Sequence, residues 1–287
     1  VSLPEGVLLS QRSPLLATLE RLARDARGVF VAGLPGMGKS LLIHQLAHLG
    51  HARGRDIALL QWDVARPDFE ASAAGRRYPQ AGGITHPLIR VATGRWARAA
   101  VAHWNAAQPA RALLIGETPL VGHRFVELVR RADDAAERVL RGAATRFAIP
   151  VPSVKVRRHL EAERARRMAT PVHPREREDA PPDVLTDSWR ELVGIARALG
   201  LDAPADGGYD PATYRTVYER LLRHRRAESL AWDEMLPAAR VSAYEFRIPT
   251  TELRPTSEDA DRFITETASA YPDPVQLEDA IASWFNV

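Results

Sequence analysis

The chain has 287 residues, a formal net charge of +3, 45% hydrophobic and 26% charged residues, and no cysteine. These proportions suit a folded protein of one large domain, or one domain with an appendage, and they exclude disulfides and thiolate metal sites. No apolar run approaches the ~18 residues of a membrane span, no signal peptide is expected, the lack of cysteine fits the cytoplasm, and so small a net charge gives no electrostatic case for a nucleic-acid partner.

Ser13 and Pro14 open a helix expected over residues 13–27, with leucines at helical spacing. Residues 28–32 form a short β-branched apolar run and read as the first strand. The segment Gly33-Leu34-Pro35-Gly36-Met37-Gly38-Lys39-Ser40 follows, and the residues from Leu41 to Ala47 read as a helix. Residues 56–62 are expected as a second strand ending at Asp63, and 64–85 as a loop or short helices. A long helix is expected over 86–107, then a third strand over 110–115 closed by Gly116-Glu117-Thr118-Pro119. An amphipathic helix over 123–141 and a fourth strand over 145–151 complete the alternation, with a turn at 150–153.

From residue 154 to 184 the character changes. Arg157, Arg158, Arg164, Arg166, Arg167, Arg175 and Arg177 crowd among acids, which reads as an exposed helix followed by a proline-broken loop. A helix over 187–199 and a linker over 203–208 come next. The remainder is expected to hold a helix over 211–226 capped by Asp210, a strand near Val241–Phe246, and a helix capped at Thr256 or Ser257. Strands alternating with helices argue for an α/β fold, a parallel sheet with helices on both faces. The expected organisation is a core over 1–202, with a lid at about 154–185, and an α-rich C-terminal extension over 203–287 that is separate or part of the same domain.

Residues 33–40 fill the template G-x-x-x-x-G-K-[ST] at every fixed position, in the strand–loop–helix context the chemistry requires. Glycines let backbone N–H groups turn inward around phosphate oxygens, and the helix N-terminus adds partial positive charge. The expected binding loop for ATP, or another nucleoside triphosphate, comprises Gly33, Gly36, Met37, Gly38, Lys39, Ser40 and Leu41. Lys39 would reach the β- and γ-phosphates, and the Ser40 hydroxyl would hold Mg²⁺. Only Lys39 and Lys155 are lysines in an otherwise arginine-based set of cations. A lysine kept in this loop suits a compact point charge, where a forked guanidinium would not fit.

Other residues carry the choice of reaction. Asp63, at the expected end of the second strand, could orient an acceptor hydroxyl or take its proton, and Arg66 and Arg90 could bind acceptor anions. Glu117 would contact the acceptor and position Mg²⁺ through water, although a carboxylate at a strand end is also a common helix cap. Arg157 and Arg164 would close over the γ-phosphate and exclude water, unless the segment is a solvated face with pairs such as Glu163 with Arg167. His44, His48 and His51 share one helix face, but no nearby acid completes a metal site. Trp62, beside Asp63, could line an acceptor pocket.

The loop, the Gly116-Glu117-Thr118-Pro119 turn and the late arginines before His173-Pro174 together resemble the P-loop kinases of the nucleoside-monophosphate kinase and shikimate kinase type, most nearly the adenylate-kinase-like pattern. The resemblance covers roughly residues 28–200, and only the glycine loop is specific. It implies a P-loop NTPase three-layer sandwich with an arginine-rich lid. The implied activity is Mg²⁺-dependent transfer of a γ-phosphoryl group to a small-molecule or nucleotide acceptor. The family's Asp-Gly-Phe-Pro-Arg element is absent. A regulatory or signalling ATPase switch, and a kinase-like toxin acting on a nucleotide sugar, also fit the loop; against the switch stands the single, glycine-displaced acid after Leu113-Leu114-Ile115.

Overall fold

Apolar spacing sets the first element. Leu15, Leu16, Leu19 and Leu22 follow Pro14 at short helical intervals, so α1 (Pro14–Asp25) forms with one buried stripe. The Ser13 side chain makes no capping hydrogen bond. β1 (Gly28–Ala32) is buried at every position, and its side chains alternate: Val29 and Val31 enter one core, Phe30 and Ala32 the other. A strand buried on both faces needs helices on both sides.

The computed structural model describes residues 3–178, 181–205, 208–236 and 242–287. Among these, one sheet has six parallel strands in the spatial order β5 (Ala227–Trp232), β4 (Thr145–Pro152), β1, β3 (Leu113–Thr118), β2 (Ile57–Leu60), β6 (Thr250–Glu252). One face is covered by α1 and α2 (Lys39–His51), whose leucines meet Val29, Val31, Leu59 and Ile115. The other is covered by α3 (Trp62–Ala71), α4 (Pro87–Ala107), α7 (Pro182–Ala198), α8 (Pro211–Leu221) and α9 (Ser257–Ala270), packed on Phe30, Leu60, Leu114 and Phe147. Phe30 stacks on Phe147 with ring centroids 5.0 Å apart. Gly116 makes room for this, because a Cβ there would meet the Phe30 ring at 2.6 Å.

Several expected boundaries move. The second strand stops at Leu60, and Trp62 and Asp63 lie in the first turn of α3. The third strand runs on through Gly116 and Glu117 to Thr118, so neither is in a closing turn. Pro150 is likewise within β4, and Ser153 caps α6 (Val154–Ala169), its side chain accepting from the Val156 N–H.

The helix expected over 123–141 does not form. Leu120 (φ 64°), Gly122 (φ 73°), His123 (φ 57°) and Phe125 (φ 58°) hold left-handed backbone and turn the chain sharply, and a short 3-10 turn spans Val126–Leu128. A helix begins only at α5 (Ala135–Leu140), because the Asp134 side chain caps it by accepting from the Glu137 N–H at 2.9 Å. The carbonyls of Glu127, Leu128 and Arg130 go instead to Arg98 and Arg225, which also share Glu137.

The C-terminal extension supplies both edge strands, β5 and β6, which the sequence reading missed. The expected helix over 211–226 stops at Leu221 and is capped by Asp210, which accepts from the Thr213 N–H at 2.7 Å. No strand occupies residues 242–246, and Val241 lies outside the described residues, as do Asp206 and Gly207 of the expected linker. Thr256 caps α9 in a reciprocal capping box with Asp259, and α10 (Pro274–Ala282) follows.

Candidate functional site

Every parallel strand points its carboxyl end the same way, and the loops leaving those ends share one rim. The glycine loop leaves β1 there. Gly36 (φ 79°) and Gly38 (φ 77°) hold left-handed backbone, and Gly38 is the residue before α2. A Cβ at Gly38 would also meet the Trp232 ring of β5 at 2.4 Å. The loop therefore depends on glycine for both conformation and contact. Lys39 starts α2, is only 8% exposed, and donates from Nζ to the Leu34 carbonyl at 3.1 Å.

The neighbour of β1 is β3, in a register that sets Val31 beside Glu117 and Ala32 beside Thr118. Glu117 therefore reaches the rim next to Lys39. Its Oε1 accepts from the Trp62 N–H at 2.8 Å, which satisfies an orphan donor at the N-terminus of α3. The helix-cap role weighed for this carboxylate is thus present, and it also fixes where the carboxylate points. Burial pushes the Lys39 pKa down to about 8, against the attraction of Glu117. Burial pushes Glu117 up to about 6, opposed by Lys39 and assisted by Asp63. Near neutrality the two are a cation and an anion facing each other.

A cavity of about 720 Å³ opens over this rim. Of the expected loop residues, Gly36, Gly38, Lys39, Ser40 and Leu41 line it; Met37 is fully buried beneath, and Gly33 lies against the Tyr214 hydroxyl rather than on the cavity wall. Asp63, Arg66, Arg90, Glu117 and Arg164 line it as well. Asp63 is exposed in the first turn of α3. Arg66 pairs with Glu70 at 2.6 Å, and Arg90 donates to the Thr85 and Gly122 carbonyls at 2.8 and 3.0 Å. Trp62 lines the cavity too, edge-on to Phe125.

Arg157 stands apart. It is 4% exposed, pairs with Glu161 at 2.7 Å, donates toward Met37 Sδ at 3.3 Å and lies 4.7 Å over the Tyr209 ring. That set anchors α6 under the glycine loop, and Arg157 does not line the cavity. Of the expected pairs in the arginine segment, Glu163 meets Arg166, while Arg167 goes to Glu176 at 3.0 Å. Arg164 and Arg167, about two and three turns further along α6, are the ones on the cavity wall.

Sequence reading missed Arg124 and Glu191. Arg124 faces the cavity because the left-handed loop returns to it, Leu120 and Arg124 exchanging backbone hydrogen bonds of 3.0 and 3.1 Å. It lowers the pKa of Lys39 and of its neighbour Arg90. The expected long helix hid it; Gly122 shortly after Pro119 was the available turn signal. Glu191 of α7 accepts from the Gly122 N–H at 3.3 Å and from Trp284 Nε1 at 3.4 Å, a placement only the tertiary fold creates.

Comparison with protein-family models, with curated proteins and with solved structures finds no match.

Proposed function

We propose that the protein is a P-loop NTPase of the kinase type, acting in the cytoplasm: a phosphotransferase that moves the γ-phosphoryl group of Mg²⁺·ATP to the hydroxyl of a small-molecule or nucleotide acceptor. The observation that carries this reading is the meeting of Lys39, Glu117, Asp63 and Arg164 on one cavity over the glycine loop. The loop fits a triphosphate. Two left-handed glycines free its amides, the α2 N-terminus ends in it, and the only loop cation is a buried lysine. Ser40 and Glu117 would hold Mg²⁺, which would neutralise phosphate charge during transfer.

The chain's own groups then have defined tasks. Lys39 and the loop amides hold the phosphate oxygens. Asp63 takes the proton of the acceptor hydroxyl as its oxygen forms the new bond to phosphorus and the bond to the leaving diphosphate breaks. Arg164 and Arg167 face the same cavity from α6 and would stabilise charge there, while Arg66, Arg90 and Arg124, which also line it, would bind acceptor anions. Beyond the glycine loop the cavity is lined by Asp63, Arg66, Arg90 and Arg124, groups suited to an acceptor, which favours a transferase over a simple switch.

The test is ATP consumption with Mg²⁺ across nucleoside monophosphates, nucleosides, sugars, nucleotide sugars and hydroxy acids. One acceptor class should raise turnover far above background and yield a phosphorylated product. Tight ATP binding with slow hydrolysis that no acceptor accelerates would replace this reading with the regulatory switch.

A further inference from the structure

A second cavity, of about 270 Å³, lies away from the first and is lined by Arg131, Arg141, Arg223, His224, Arg225 and Arg226. Every lining side chain is basic. Arg141 lies four residues before β4, and Arg223 to Arg226 connect α8 to β5, so the cavity sits at the amino ends of two adjacent parallel strands. The glycine loop leaves the carboxyl end of β1 in the same sheet. At about 3.3 Å per residue, the length of a strand separates the two sites, and a ligand at one cannot touch the other.

The cations differ in how they are held. Arg225 forms the floor: it is buried, pairs with Glu137 at 3.0 Å, and donates to the Leu128 and Arg130 carbonyls at 2.9 and 2.6 Å. Its charge is already answered. Arg131, Arg141, Arg223 and Arg226 are exposed, and among the described residues none of the four forms an ion pair. Arg223 reaches only the Arg220 carbonyl at 3.3 Å, and Arg226 only the Arg141 carbonyl at 3.4 Å. The side chains of Arg131 and Arg141 make no hydrogen bond among the described residues. Burial holds His224 below the ordinary histidine range, and Arg223, Arg131, Arg225 and Arg141 push it the same way. The fold thus gathers like charges from three separate stretches of chain around one hollow, an arrangement that is self-repelling until an anion enters.

We propose that this cavity binds a small oxyanion of several charges, an oligophosphate group that is either free or carried on a metabolite. Guanidinium forks match phosphate oxygens two at a time, and four of them are uncommitted here. No Phe, Tyr or Trp lines the hollow, so a nucleic-acid base would find only the His224 imidazole to stack on.

The test is calorimetric titration of the full chain with sodium tripolyphosphate and with ADP, at low salt and without Mg²⁺. It is run on the unaltered protein, on Lys39→Ala, and on the triple variant Lys39→Ala/Arg131→Ala/Arg141→Ala, with a single-stranded RNA as a third titrant. Saturable tripolyphosphate binding should persist in Lys39→Ala and weaken at least tenfold in the triple variant. ADP binding present in Lys39→Ala and lost in the triple variant would assign the phosphates to a nucleotide carrier; tripolyphosphate binding alone would assign them to a free oligophosphate. Binding lost in Lys39→Ala would place the ligand in the glycine loop and overturn the proposal, as would binding equal in Lys39→Ala and the triple variant. Absence of saturable binding would do the same, as would the RNA binding Lys39→Ala more tightly than tripolyphosphate does. Arg226→Gln in the Lys39→Ala background gives an independent reading if the triple variant melts early.

Discussion

Burial moves Lys39 down and Glu117 up, each opposes the other's shift, and this gives two predictions of opposite sign. Lys39 loses its proton near pH 8, so the affinity of the free protein for Mg²⁺·ATP should fall as pH rises through that value. Glu117→Gln keeps an oxygen for the Trp62 N–H but removes the attraction that favours the lysine cation. The alkaline limb should then move to lower pH. Arg124→Ala removes a repelling cation, and the limb should move to higher pH. Binding measured on either side of pH 8 for the three proteins checks both shifts, and shifts of the same sign would dissolve the proposed coupling. Lys39→Ala should abolish Mg²⁺·ATP binding at the glycine loop, and with it phosphoryl transfer, with the fold intact. Asp63→Asn should leave nucleotide affinity unchanged and lower transfer about 100-fold or more; unchanged transfer would remove Asp63 from the chemistry.

Among the elements, the turn over residues 120–125 is the one whose shape depends most on its surroundings. His123 is fully buried and its Nε2 lies 2.8 Å from Glu127 Oε1, one turn beneath a backbone with three left-handed non-glycine residues. Gly94 of α4 leaves room for that carboxylate, since a Cβ there would fall 1.7 Å from Glu127 Oε2. Gly94→Ala should destabilise the protein by about 1–3 kcal/mol, and its effect should shrink in a Glu127→Ala background. Chemical denaturation of the single and double variants measures this; strict additivity would mean the two residues do not meet. The neighbouring Arg98–Glu137–Arg225 network predicts acid sensitivity. Burial alone would raise Glu137, but hydrogen bonds from Arg225 and Arg98 outweigh it and hold its pKa below the ordinary 4.5. Asp134 is held below 3.8, chiefly by its hydrogen bond from Arg98. A carboxylate depressed in the folded state contributes its stability above its unfolded pKa and loses it as pH falls through the folded one. Glu137→Gln should therefore cost about 3–5 kcal/mol near neutrality and flatten the acid limb of the stability curve.

At the scale of the whole molecule, the C-terminal extension closes the sheet. β5 and β6 cover the outer edges of β4 and β2, Trp232 backs the glycine loop, and Tyr214 and Tyr218 of α8 are fully buried in the core that holds Phe30 and Phe147. A chain ending at residue 205 would expose two strand edges and a face of large aromatics. It should fail to give a cooperative thermal transition and should aggregate; a sharp transition close to that of the full chain would mean the extension is dispensable.

What was legible in the sequence was local. Proline at helix starts, leucines at helical spacing and β-branched runs set α1, β1, α2, α4 and β4 to within a few residues, and Asp210 and Thr256 marked their helices. The glycine loop was legible because two glycines, a lysine and a serine at fixed spacing are a chemical specification in themselves. The tertiary structure decided the rest. Ala227–Trp232 is polar at Glu228 and Ser229 and becomes a strand only because β4 offers it an edge. Arg124 and Glu191 reach the cavity through a left-handed turn and a helix from far along the chain. Arg157 and Arg164 share one arginine-rich run, yet packing buries the first under the loop and sets the second on the cavity wall. Residue type and spacing determine what chemistry a segment can do; burial and long-range packing determine which of several like residues is placed to do it.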